Sequence, residues 1–347
     1  MYLKKILIAV LLLGLVGMAI FSWYVYSAVF APNTAFNNKE AHVYIPTNAS
    51  FNNVLEELEP LLKDRSSFVK VATKKEYTSN IKAGHYVITN GMSNNDIVNT
   101  IRSRNVPINI KFNNKERLED LAGHLANQIE PDSITLLNTM RNSEFLTTSG
   151  FSEATALGMY IPNTYEVYWN TSAENFRSKM LNEYNRFWTP ERNQKAKNIG
   201  LTRDQVISLA AIVQKETAKV DERPRVAGVY INRLQSGMPL QADPTVIYAK
   251  KRSENNFDQI IKRVLYKDLE INSPYNTYLN IGVPPGPIAM PDITAIDAVL
   301  NFEKHEYLYF VADVTNFGYH KFAKTLAQHN RNKAEYVRWI NENGVRR

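Results

Sequence analysis

The chain opens with an apolar block that nothing later in it repeats. Lys4 and Lys5 precede an uncharged run of 25 residues from Ile6 to Phe30. As a helix it would reach about 37 Å, enough to cross a hydrocarbon layer of about 30 Å with some tilt. Trp23, Tyr24 and Tyr26 fall near the far end, where aromatic rings favour a membrane interface, and Pro32 stops the helix. The lysine pair on the short side predicts a cytoplasmic N-terminus and export of the remainder. The competing reading is a cleaved signal peptide ending at Val29-Phe30-Ala31. The run exceeds the usual signal core of about 7–15 residues, which favours a retained anchor (residues 1–31).

Residues 32–40 are polar and turn-rich and read as a linker. The pattern then alternates between strand and helix. His42-Val43-Tyr44-Ile45-Pro46 reads as a strand, followed by a helix capped by Asn48 or Ser50, with Phe51, Val54, Leu55, Leu58 and Leu61 at helical spacing. A second unit runs from His85-Tyr86-Val87-Ile88-Thr89 through Ser93 into a helix bearing Ile97, Val98 and Ile101. A third runs from Ile108–Phe112 into a helix with Leu118, Leu121, Leu125 and Ile129. Residues 131–200 look mainly helical, interrupted at 158–165. The expected class is α+β: a small module over 41–105, a connecting strand–helix region over 106–154, and a mixed α/β main domain over 155–347.

That domain holds the candidate chemistry. Thr202 and Gln205 stand at capping-box spacing before a stripe of Val206, Leu209, Ala210, Ile212 and Val213. Glu216 follows on the same stripe. A carboxyl held against apolar side chains loses hydration and its pKa rises, which suits a general acid near neutral pH. Periodicity alone leaves a second reading open, in which the stripe has reached solvent and Lys219, Arg223 or Arg225 simply pairs with Glu216. Arg223–Leu234 reads as another amphipathic helix ending near Gly237. Three stretches beyond it resemble loops with a task. Leu240–Thr245 packs amide, carboxylate and hydroxyl groups into a turn. Ser273–Tyr278 places aromatic rings around an amide, a combination suited to sugar. Val283–Ile288 is a stiff proline turn. Each could equally be a cap, a core edge or a brace.

Composition narrows the field. With 44% hydrophobic and 22% charged residues the chain can bury a core. Its net charge of +7 suits an anionic surface such as phospholipid or cell-wall polymer. The basic residues are scattered, the densest run being Lys250-Lys251-Arg252, and no reading motif occurs, so no nucleic-acid partner is expected. The absence of cysteine excludes disulfides, thiolate metal sites and cysteine nucleophiles. No Gly-x-Ser-x-Gly, His-Glu-x-x-His or phosphate-binding loop is present. His305, His320 and His329 read as structural; neither metal nor cofactor is expected.

Several segments in order resemble the YceG-like endolytic murein transglycosylases. They are Leu209–Ala218, Glu222–Leu234, Gly237–Tyr248, Tyr275-Asn276-Thr277-Tyr278, Pro284–Ile288, Tyr309-Phe310-Val311 and the tail with His320, Phe322, Thr325, His329 and Asn330, while Ile161–Tyr165 is like the family's Phe-Pro-Asp-Thr segment. The resemblance extends from the anchor almost to the C-terminus. It implies one N-terminal anchor in the cytoplasmic membrane, a LysM-like module and an extracytoplasmic catalytic domain. It also implies cleavage of the MurNAc–GlcNAc β-1,4 bond within glycan strands to leave 1,6-anhydro ends, tied to terminating nascent strands beside the peptidoglycan synthases. The family's catalytic glutamate falls on Glu216, in Lys215-Glu216-Thr217. Gln241, Asp243, Thr245, Tyr275, Asn276 and Tyr278 are the candidates for holding sugar. Departures are Asn163 for the usual aspartate, Gln214 for a common glutamate, and Met290 and Asp292 for the usual asparagine and glycine. Two rivals remain: a lysozyme-like hydrolase recruiting Asp243 or Glu222 as second carboxylate, and a non-catalytic tethered scaffold that binds the wall through its LysM-like module.

Overall fold

The apolar block folds as one helix, α1 (Tyr2–Phe30), with no buried residue and a mean hydropathy of 2.6 over its most apolar stretch. It is long and apolar enough to cross a membrane. The computed structural model describes residues 2–343; Met1 of the expected anchor and the last four positions of the expected 155–347 domain lie outside them. The chain divides into two compact units. One runs to Ile110 and includes Gln128–Pro131 and Tyr165–Ser172; the other takes Lys111–Asn127, Asp132–Thr164 and the chain from Ala173 onward.

The first unit contains β1 (Glu40–Ile45), α2 (Phe51–Leu58), α3 (Arg65–Lys74), β2 (Gly84–Thr89) and α4 (Asn94–Ser103), and the chain then enters β3 (Ile108–Phe112). β1 and β2 pair antiparallel, with Val43 opposite Tyr86 and Ile45 opposite Gly84. Alternation puts Val43, Ile45, Tyr86 and Ile88 on the face that meets Val54, Leu58, Phe68, Ile97 and Ile101. Ser50 and Ser93 each close a capping box, with Asn53 and Asp96 respectively. Gly84 has φ +150°, and the Asn105 carboxamide lies 2.5 Å from where a Cβ would stand, so only glycine fits.

Residues 32–35 depart from the linker that their composition predicts. Pro32 bridges to Ser93 and Thr34 to Leu62. Asn33 is buried, donating to Asp64 O (2.9 Å) and accepting from Asp64 N (2.8 Å). Asn94 donates to Ala28 O at 2.8 Å, and Val29 packs against the core of the unit. Buried amides with every bond made specify this path as firmly as apolar packing would.

The second unit is mostly helical: α5 (Leu118–Ala126), α6 (Ser133–Met140), α7 (Ser143–Thr148), then, after β4 (Asn163–Val167), which begins in this unit and ends in the first, α8 (Ala173–Phe187), α9 (Pro190–Asn198), α10 (Arg203–Glu216), α11 (Arg223–Gln235), α12 (Asp243–Ser253), α13 (Ile293–Leu300), β5 (Tyr309–Ala312), β6 (His320–Ala323) and α14 (Leu326–Glu342). β3 pairs with β4, and β5 with β6 antiparallel. The expected α+β class holds. In place of a mixed α/β domain, the described residues form only two-stranded sheets beside a helical assembly. Ile129 lies beyond the end of α5, although its side chain is buried. Helix α10 is the centre: every residue from Val206 to Val213 is buried, against α11, α12 and α13. A helix apolar all round must sit inside a core, which is more than the one-sided stripe demanded. The proline turn packs so closely at Gly286 that a Cβ would strike the Ala154 carbonyl.

Candidate active site

Glu216 is the last residue of α10, where that buried helix emerges. The Thr202–Gln205 capping box fixes the other end, and the Thr217 N–H donates to Val213 O at 3.2 Å to finish the last turn. Glu216 is half-buried. Its Oε1 accepts a 2.6 Å hydrogen bond from the Tyr230 hydroxyl on α11. Burial pushes its carboxyl up to about 7; the Tyr230 bond opposes that rise, the Asp243 charge adds to it, and His320 and Arg233 counter it more weakly. The negative end of the α10 dipole acts in the same direction as burial. Tyr230 is itself raised well above its ordinary value by burial, and then by the charge of Glu216.

None of the cations that the sequence offered as partners pairs with Glu216. Arg223 binds Asp292 at 2.9 Å, Arg225 binds Glu303 at 3.0 Å, and Lys219 lies over the Tyr319 ring. Asp292, one of the departures, caps α13 while holding Arg223, and its N–H donates to Gln214 Oε1 at 2.6 Å. Two of the unusual residues thus support each other directly behind Glu216. Met290 is fully buried, and Asn163 is exposed at the start of β4.

Six residues further on, Glu222 is buried at 4% exposure and surrounded by donors. The Thr217 hydroxyl gives 2.8 Å to Oε2, the His320 N–H 2.7 Å to Oε1, and the His320 ring Nδ1–H 2.9 Å to Oε2. Burial acts to raise this carboxyl, but the bonds from His320 and Thr217 outweigh it and hold Glu222 below the ordinary carboxylate range. The chain Thr217–Glu222–His320 ties the end of α10 to β6.

The loop before α12 supplies the other groups. Asp243 opens α12, with Pro244 in its first turn, where a plain turn was expected, and it accepts 2.7 Å from the Tyr278 hydroxyl. Burial, and next the bond to Asp243, raises Tyr278 above its usual value. Gln241 stands exposed with φ +50°, a left-handed conformation costly for a residue with a Cβ. It is held there by its N–H donating to Thr277 O (3.1 Å) and by Arg233 reaching Gln241 Oε1 (3.3 Å). Arg233 is 7% exposed and spends its donors on the carbonyls of Leu240 (2.9 Å) and Leu308 (2.7 Å). Its positive charge reaches Glu216, and among the described residues it has no carboxylate paired to it.

The candidate sugar residues fall into two sets. Gln241, Asp243 and Tyr278 are accessible. Thr245, Tyr275 and Asn276 are buried. Thr245 and Thr277 share a 2.8 Å hydroxyl contact, and Asn276 donates 2.9 Å bonds to Leu269 O and Ile271 O. Tyr275 packs on Tyr248 with ring centroids 4.8 Å apart. In this arrangement the buried three build the loop that presents the accessible three. Tyr230 and Arg233 were not singled out from the sequence as site groups; Glu222 was named only as a second carboxylate for a hydrolase, and its pairing with His320 was not foreseen. Tyr230 gave one signal, a hydroxyl on the apolar face of the helix after Glu216.

The YceG-like family matches residues 43–335 of the chain. An endolytic murein transglycosylase of Bacillus subtilis is 29% identical over 87% of this chain and 86% of its own length. Its namesake in Streptococcus pneumoniae D39 is 30% identical over 88% of this chain, which spans 60% of that longer protein. A crystal structure of a yceG-like protein from Listeria monocytogenes superposes with a TM-score of 0.57 at 28% identity, covering 85% of this chain and 99% of that one.

Proposed function

The chain belongs to the YceG-like family, and on that premise we propose that it is an endolytic murein transglycosylase with Glu216 as its single acid/base. The carrying observation is a half-buried carboxyl at a helix end, raised to about 7, that among the described residues has a tyrosine hydroxyl as its side-chain hydrogen-bond partner and no cation paired to it. Such a group holds a proton at neutral pH and can release it. Glu216 protonates the glycosidic oxygen as the bond from the MurNAc anomeric carbon breaks. The sugar's own C6 hydroxyl then attacks that carbon, and Glu216, now a carboxylate, takes the hydroxyl proton. A 1,6-anhydro ring forms, no water is consumed and the enzyme ends as it began. Asp243, with Tyr278, faces positive charge developing at the anomeric carbon. Gln241 binds sugar hydroxyls, and Thr245, Tyr275 and Asn276 hold these groups in place.

Helix α1 anchors the enzyme in the cytoplasmic membrane with the N-terminus inside. Residues 41–105 serve as a LysM-like module and 155–347 as the catalytic domain. The enzyme terminates nascent strands next to the synthases. The test is digestion of glycan strands by full-length protein in detergent micelles, followed by mass spectrometry of the ends. Anhydro ends, lighter by one water than reducing ends, are expected. The nearness of Asp243 to Glu216 keeps a hydrolase as the second reading, and reducing ends alone would favour it over ours. Binding without any release would mean a scaffold.

A further inference from the structure

A trough runs along one face of α12. Two cavities of about 340 and 450 Å³ share Glu116 and Tyr248 in their walls. Helix α12 contributes Pro244, Ile247, Tyr248, Lys251 and Arg252, which recur at the spacing of a single helix face. At one end the lining includes Lys215 and Pro244, the chain neighbours of Glu216 and Asp243. At the other it includes Arg252 and Glu153. The helical rise puts Pro244 and Arg252 about 12 Å apart.

Charge along the trough is unevenly satisfied. At the near end Glu116 is held by Lys215 and Lys251, each at 2.8 Å. At the far end the guanidiniums of Arg117 and Arg141 are already taken by Asp120 and Glu119. Arg252 is not: it is exposed, lies 5.1 Å over the Tyr275 ring, has only the uncharged hydroxyls of Tyr248 and Tyr275 as side-chain hydrogen-bond neighbours, and among the described residues meets no carboxylate. Glu153 on the same wall is exposed and, among the described residues, pairs with no cation. A guanidinium carries five N–H donors, so one backed by an aromatic face and sharing donors with neutral hydroxyls still keeps N–H groups in its own plane for a carboxylate.

We propose that the trough is a subsite for the stem peptide of the substrate strand, Arg252 receiving a peptide carboxylate and Glu153 the amine of the diamino acid. The inference rests on the murein reading above. The N-acetylated sugars of such a strand are neutral and the lactyl carboxyl is consumed in the amide to the peptide. The ionised groups of both signs therefore sit on the stems, and unpaired charges of both signs on the protein match them. The near end of the trough is lined by Lys215 and Pro244, each one residue along the chain from Glu216 and Asp243, so a peptide branching from a sugar held at those two residues has only a short distance to span.

The test compares full-length protein in micelles on uncrosslinked strands bearing stems and on the same strands stripped by an amidase. Arg252→Ala should lose about tenfold in kcat/KM, mainly through KM, on stem-bearing strands only. Arg252→Lys should recover part of it and Glu153→Ala a smaller selective loss. Thermal melts confirm that each variant folds; should Arg252→Ala fail to, the other two decide. An equal loss on both substrates, or no loss on stem-bearing strands, overturns the subsite while leaving the enzyme intact. Wild-type protein that releases anhydro ends from neither substrate defeats the murein reading, and the subsite with it.

Discussion

Glu216 and Glu222 stand six residues apart, are both withdrawn from water, and are driven in opposite directions. Glu216 closes a buried helix with one hydroxyl to bind and is lifted to about 7. Glu222 suffers the same loss of hydration but collects a hydroxyl, a backbone N–H and an imidazole N–H, and is held low. Burial alone therefore does not make an acid catalyst. The number of donors that follow the carboxyl into the protein decides whether it keeps a proton or becomes a fixed anion that braces its surroundings.

The largest expected effect breaks that contrast at the member whose carboxyl is raised. Glu216→Gln keeps the shape and removes the titrating proton. Release of anhydro ends, followed by mass spectrometry, should fall about a thousandfold, and near-normal release would assign the chemistry elsewhere. Next, Glu222→Ala strands the Thr217 hydroxyl and the His320 donors. A loss of about 3 kcal/mol in urea unfolding is expected; a stability within error of wild type would show that the bracing role is wrong.

The pH dependence of stability sharpens the comparison further. Glu216 binds its proton more tightly when folded, so its contribution is complete below the unfolded value near 4.5. It fades as pH rises through about 7, by about 3 kcal/mol in all. Glu222 has the reverse sign: its contribution is present above its unfolded value and is lost as pH falls. Unfolding of wild type against Glu216→Gln from pH 4 to 8 should therefore show the difference drifting in favour of the variant as pH rises. A flat difference would mean that Glu216 titrates normally. The activity of wild type should likewise fall off above about pH 7. Smallest is Tyr230→Phe. Its hydroxyl holds Glu216 down, so its removal should move that alkaline limb upward while costing about 1 kcal/mol of stability. A downward shift would contradict the geometry.

Much of Glu216 was legible in advance because its signals are local. The Thr202–Gln205 box, the apolar spacing and the carboxylate at the end of the stripe all lie within one helix, and α10 runs from Arg203 to Glu216. What spacing cannot carry is which elements meet. Lys219, Arg223 and Arg225 were as plausible for Glu216 as any partner nearby in the chain, yet Arg223 and Arg225 go to Asp292 and Glu303, far along the sequence. The His320–Glu222 link likewise joins β6 to the start of α11. In the candidate sugar loops, residue type was readable and depth was not. Thr245, Asn276 and Tyr275 have the chemistry of sugar ligands, but a turn that folds back on itself buries half of its polar groups to hold the rest.

The knotting of residues 32–35 into the first unit has a mechanical consequence. A free segment of nine residues, as composition suggested for 32–40, would let that unit wander about 16 Å from its tether. With Asn33 clasped to Asp64 and Asn94 gripping the last turn of α1, the slack is gone. Whatever holds α1 therefore holds the first unit directly, because the two are joined without a flexible spacer.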